Sequence, residues 1–156
     1  MAKNLIFTKQ EVKFLKELVK NKIDFILVGL SAATLQGVPV ATQDVDLWFK
    51  NIEDPKIKKV LKKFGAAYIP PFQLYPPTFA GGGLGLFDIV LTMHGLGPFE
   101  EEIKKVQKIS LGDFKVPILS LERIIKSKKA TGRQKDKITL PVLEDAWLVI
   151  KNKSCK

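Results

Sequence analysis

Three aspartates carry the chemical signal of this sequence. Asp44 and Asp46 stand two residues apart in Thr42-Gln43-Asp44-Val45-Asp46-Leu47. The stretch from Asp44 to Phe49 alternates, with Val45, Leu47 and Phe49 on one face of a predicted strand and Asp44, Asp46 and Trp48 on the other. The two carboxylates then share a face, about 6.6–6.8 Å apart along the chain. Held that close they repel, and a bridging hard cation relieves the repulsion. Mg²⁺ takes oxygen ligands, keeps several waters and commonly binds one or two carboxylates together with phosphates. Asp88 interrupts an otherwise apolar strand predicted over Leu84 to Leu91. A lone charge there costs several kcal/mol unless it is paired or metal-bound. If the two strands are neighbours, three carboxylates converge and hold two Mg²⁺ ions about 3.5–4 Å apart. The plainer alternative is a solvated face of an edge strand.

Anion-binding features lie on either side of this acidic group. Ile26-Leu27-Val28-Gly29-Leu30-Ser31-Ala32-Ala33 reads as strand, tight turn and helix start. Free N–H groups at such a helix start attract anions, and Ser31 adds a hydroxyl donor. A simple strand-to-helix connection would look the same. The lysine-bearing phosphate loop of the Walker type is absent. Lys126, Lys128 and Lys129 fall near the end of a predicted helix, followed by the basic loop Gly132-Arg133-Gln134-Lys135-Asp136. Cations there suit the helix dipole, with Gly132 as its cap. The functional alternative folds Lys126, Arg133 or Lys135 over a triphosphate, with Lys126 the preferred contact. Tyr68, Phe72 and Tyr75 offer rings to stack on bases, but in this Pro-rich segment they are expected to anchor the loop. His94 is expected to be structural, and the lysines of residues 56–63 a solvated helix face.

The elements that must position these groups follow from patterning. Thr8 and Glu11 have capping-box spacing and open a helix to about Asn21. Ile23–Val28 is a buried strand, Ser31–Gln36 a short helix, and Asp54-Pro55 opens another helix with Ile57, Val60, Leu61 and Phe64 inward. Ala66–Ile69 is a strand, Pro70–Pro77 an irregular loop and Gly81-Gly82-Gly83 a flexible hairpin tip. Pro98–Val106 is helical, Lys108–Leu111 and Phe114–Ile118 form a hairpin, and Ser120 caps a helix to about Ala130. Pro141 opens the last helix, with Leu143, Ala146, Trp147 and Ile150 inward.

Composition agrees with a folded chain. Of 156 residues, 46% are apolar and 27% charged, and a net charge of +10 favours anionic partners. Residues 1–156 are expected to form a single domain. Cys155 and His94 are the only Cys and His, which excludes the usual Cys/His zinc site and fits a reducing cytosol. No apolar run is long enough for a transmembrane helix or a signal peptide, so a cytoplasmic protein without membrane contact is expected.

The series Val28-Gly29, short helix, Asp44-Val45-Asp46-Leu47 and then Asp88 among apolar residues resembles the polymerase-β-type nucleotidyltransferase superfamily. Residues 37–47, 91–100 and 124–136 more narrowly resemble small stand-alone bacterial and archaeal nucleotidyltransferases, some of whose relatives are toxins of toxin–antitoxin pairs. The likeness spans residues 23–147. It implies an α+β fold with a mixed sheet flanked by helices. It also implies a Mg²⁺-dependent enzyme moving a nucleoside monophosphate from a triphosphate to RNA, such as tRNA, or to a protein hydroxyl. Asp44 and Asp46 would bind both ions and Asp88 one. Gly29 and Ser31 would hold the β- and γ-phosphates, with Lys126, Arg133 and Lys135 beside them. One position departs: the family has Gly or Ser directly after the first glycine, where this chain has Leu30. The alternative is therefore a catalytically weakened module that binds nucleic acid or a protein partner. As the toxin of such a pair, its partner would be an acidic antitoxin.

Overall fold

The structure is a computed structural model that describes residues 7–40 and 44–154. Thr42, Gln43 and Cys155 lie outside the described residues. Helix α1 (Lys9–Lys20) starts on a reciprocal cap: Thr8 Oγ1 accepts from Glu11 N at 3.2 Å, and Glu11 Oε1 accepts from Thr8 N at 2.6 Å. Its Phe14, Leu15 and Leu18 are fully buried. Strand β1 (Phe25–Val28) runs directly into α2 (Gly29–Leu35), two residues earlier than the sequence reading placed that helix. Strand β2 (Val45–Phe49) leads to α3 (Pro55–Lys63), capped by Asp54 with Pro55 at the first position.

Next come β3 (Ala66–Ile69), β4 (Thr78–Gly81) and β5 (Phe87–Val90). Patterning did not predict β4, and β5 is shorter than Leu84–Leu91. The β4–β5 turn takes Gly81 to Gly83 at positive φ, and a Cβ on Gly82 would collide with the Phe64 carbonyl oxygen. The turn is therefore packed against the end of α3, where only glycine fits. A short α4 (Phe99–Glu102) precedes the hairpin β6 (Gln107–Ser110) and β7 (Lys115–Ile118). Helix α5 (Leu121–Thr131) starts on the Ser120 cap and ends at left-handed Gly132.

The last helix, α6 (Gln134–Ser154), starts well before Pro141 and carries that proline inside it. Tertiary contact overrides the proline signal. The N–H groups of Asp136 and Lys137 both bond to the Arg133 carbonyl, and the buried Asp136 carboxylate pairs with Lys128 and Arg133. The expected loop Gly132–Asp136 is thus mostly the first turn of a helix. Leu143 is buried as expected, while Ile150 is 38% exposed.

The sheet is mixed, in the order β3-β4-β5-β2-β1-β7-β6. β2 runs parallel to β5 and β1 parallel to β7; the other pairs are antiparallel. Phe14 on α1 packs at 5.3–5.5 Å between ring centroids on Phe64, Phe79 and Phe87, which sets one sheet face against α1 and α3. The register aligns one row across five strands on the other face: Ile69, Thr78, Asp88, Asp46 and Val28.

Candidate active site

The acidic groups meet because two strands that are distant in sequence lie side by side. Asp46 and Asp88 are register partners on parallel β2 and β5, with Cα atoms about 4.8 Å apart. Asp44 immediately precedes β2 and falls on their side of the sheet. All three line a cleft of about 540 Å³ with Gly29, Lys128, Arg133 and Lys135.

Gly29 has a structural reason to be glycine. Its φ is +74°, and a Cβ there would collide with Asp46 Oδ2. The turn after β1 therefore presses its bare backbone against the carboxylate. Burial raises the Asp46 pKa to about 6; the Asp88 charge adds to the rise, and Lys128 opposes it. Asp88 is also raised, first by burial and then by Asp44, with Lys135 opposing. A cleft that drives its carboxylates toward protonation is one that gains from a cation. The donors are hard oxygens, suited to Mg²⁺. Among the described residues no three Asp, Glu, His or Cys side chains close into a ready-made metal cage. The arrangement fits an ion that completes its shell with water and phosphate oxygens.

The cationic wall rests on Asp136, which sequence reasoning missed. Lys128 Nζ donates to its Oδ1 at 3.2 Å, and Arg133 Nε donates to its Oδ2 at 2.8 Å. Burial pushes the Asp136 carboxyl up, but the bonds from Arg133 and Lys128 outweigh it and hold the pKa below the ordinary value. One buried anion thus aligns two cations at the cleft.

The chain resembles ANT(2″)-Ia in complex with adenylyl-2″-tobramycin, with TM-score 0.57 and 14% identity over 92% of this chain and 90% of that one. It resembles a Thermotoga maritima protein described as a nucleotidyltransferase, with TM-score 0.56 and 19% identity over 93% and 91% of the two chains. The solution structure of ANT(2″)-Ia, an antibiotic-resistance factor, matches with TM-score 0.51 and 14% identity over 99% and 98%. The chain has the nucleotidyltransferase fold. No family model and no curated protein sequence matches it.

Within the nucleotidyltransferase fold, Asp44, Asp46, Asp88, Gly29, Arg133 and Lys135 all line one cleft. Two expected contacts do not. Ser31 is buried and does not line the cleft; its Oγ donates to the Val28 carbonyl at 3.2 Å, so the hydroxyl proton is committed to the backbone. Lys126 lines a separate hollow with Glu122, Ile125, Lys129, Glu144 and Trp147. Two helical steps separate it from Lys128 by about 200°, which puts the two on opposite sides of α5. Lys128 shares the cleft side with Ile124, Ser127 and Thr131. That i, i+3, i+4, i+7 stripe was available in the sequence as the signal for Lys128. His94 is exposed and lines the cleft with Thr92 and Met93, rather than serving the core. A larger hollow of about 930 Å³ lies away from the acidic row, with Glu122 its one lining carboxylate. No helix among the described residues is long and apolar enough to cross a membrane.

Proposed function

We propose that this protein is a Mg²⁺-dependent nucleotidyltransferase that moves a nucleoside monophosphate from a triphosphate to an acceptor hydroxyl, releasing pyrophosphate. The observation that carries the reading is the aligned pair Asp46–Asp88 beside the close-packed Gly29 turn. The neighbour bound to adenylyl-2″-tobramycin supports nucleotidyl transfer as the chemistry. In this reading Asp44, Asp46 and Asp88 hold two Mg²⁺ ions. When bound, the ions supply stabilisation of the charge developing on the attacking and leaving oxygens. The backbone at Gly29 receives the β- and γ-phosphates. Lys128, Arg133 and Lys135 neutralise the triphosphate. Asp88 takes part in deprotonating the acceptor hydroxyl. The net charge of +10 favours RNA, such as tRNA, over a protein hydroxyl as acceptor.

The test is incubation with each labelled triphosphate, Mg²⁺ and total RNA. Label transfer by the wild type and none by Asp46→Ala is expected; transfer that persists in the variant refutes the assigned site. A second reading is a module that binds RNA or an acidic antitoxin-like protein without turnover. The Ser31 hydroxyl committed to the Val28 carbonyl and Leu30 at the cleft favour it. Absence of any Mg²⁺–triphosphate thermal shift would select that reading.

A further inference from the structure

The chain's one imidazole, His94, stands exposed at the cleft. The rings of Phe72 and Tyr75, expected to anchor their loop, are 66% and 72% exposed and do not line that cleft. The loop carrying His94 is held from behind. β5 ends at Val90, and a turn follows in which Leu96 N donates to the Met93 carbonyl at 3.3 Å. Within it Gly95 stands at φ +78°, where a Cβ would collide with Ala130 Cβ on α5. Gly97 N donates to Glu102 Oε2 at 3.0 Å. Glu102 is fully buried, and Arg123 on α5 donates to both its oxygens, from Nε at 3.0 Å and Nη2 at 2.7 Å. A buried ion pair and a bare glycine thus clamp the loop on α5, and Thr92, Met93 and His94 face the cleft.

Strand direction fixes what this wall can reach. β2 and β5 run opposite to β1, so each step along β5 beyond Asp88 leads away from the Gly29 turn. Asp88, Val90 and Thr92 follow one another on the cleft side by strand alternation. A triphosphate with its β- and γ-phosphates at Gly29 and its α-phosphate at the aspartates sends its nucleoside the other way, along this wall. Charge divides the cleft in the same sense. Lys128, Arg133 and Lys135 come from α5 and α6, whereas residues 64–103 hold no Lys or Arg. The loop wall offers a phosphate no fixed cation and suits the uncharged part of the molecule. Val90, Met93 and Ile124 give apolar surface, including a thioether that packs well on rings. Thr92 and His94 add hydrogen-bonding groups. Apolar walls with a few placed polar groups are how proteins hold small ring ligands.

We propose that this wall takes the nucleobase of the bound triphosphate, and that His94 is a specificity-determining residue that hydrogen-bonds the edge of the base. The proposal rests on the nucleotidyl-transfer reading and adds to it which residues choose the base. A site built to bond a polar edge rejects a base that leaves its groups unpaired, so one triphosphate is preferred over the others.

The experiment is a thermal-shift titration of the wild type and His94→Ala with Mg²⁺ and each ribonucleoside triphosphate, and with inorganic tripolyphosphate. The wild type should prefer one nucleotide. In His94→Ala the half-maximal concentration of that nucleotide should rise about threefold to tenfold, the loss of one hydrogen bond, and the preference should shrink. Tripolyphosphate, which has no base, should stabilise both proteins alike. Without ligand the variant should unfold at the wild-type temperature, because the side chain is exposed. Tripolyphosphate weakened as much as the nucleotides would make His94 a phosphate ligand and overturn the proposal. A preference that survives the substitution would also overturn it, as would a wild type that binds every nucleotide alike; a fall in label transfer beside a surviving preference would assign His94 to the acceptor. A wild type stabilised by neither nucleotide nor tripolyphosphate would instead overturn the transfer reading beneath it.

Discussion

Asp46 bears the strongest opposition between stability and chemistry. Its folded-state pKa, raised to about 6 by burial and by Asp88, exceeds that of an unfolded aspartate near 3.9. The metal-free folded chain therefore binds more protons than the unfolded chain between about pH 4 and 6. Stability from this group is present below that window and is lost as pH rises through it. Asp46→Asn should stabilise the metal-free protein at pH 7 by about 1–3 kcal/mol and by much less near pH 4. Denaturant unfolding at both pH values measures this; equal effects at the two would contradict the burial argument. The same variant should lose label transfer. Lys128 and Lys126 give a second contrast, because they leave opposite sides of α5. Lys128→Ala should raise the triphosphate concentration needed for half-maximal thermal stabilisation about tenfold, the loss of one charge-assisted bond. Lys126→Ala should leave it unchanged.

Helix α6 and the pair β2–β5 show how neighbouring elements reshape local preference. Pro141 has no N–H to donate and opposes the helix around it. The helix persists because Asp136 is tied to α5 and Leu143 is buried. Pro141→Ala should stabilise the fold by about 1–3 kcal/mol, read as a raised midpoint in denaturant. No gain would mean that α6 bends at this point to spare the missing bond. Capping signals were legible because they are local: Thr8 with Glu11, Asp54 with Pro55, and Ser120 all start helices. The α6 start was not legible, since what holds its first turn is the Asp136 carboxylate paired with Lys128 on α5, a contact across space. Strand β4 was likewise hidden. Its four residues, Thr78 to Gly81, gain strand character only by pairing with β3 and β5.

Across the molecule, one aromatic cluster links the helical layer to the sheet. Phe14 touches Phe64, Phe79 and Phe87, which belong to the end of α3, to β4 and to β5. Phe14→Ala should cost about 3–5 kcal/mol. It should also weaken Mg²⁺–triphosphate stabilisation, because β5 carries Asp88 on its opposite face. Normal triphosphate affinity in a destabilised Phe14→Ala protein would show that the sheet holds its register without this cluster.

The three aspartates, the glycine at position 29 and the basic stretch around the start of α6 could all be read from residue type and spacing, because strand alternation and helix capping act over a few residues. That Asp46 faces Asp88 followed from placing β5 beside β2, a pairing that no local rule specifies. That Lys128 and not Lys126 lines the cleft, that the Ser31 hydroxyl bonds to the Val28 carbonyl and that Asp136 pairs with Lys128 and Arg133 depended on which side of each helix met the sheet. Burial and facing charge arise from segments far apart in the chain, so they come into being only when the layers pack.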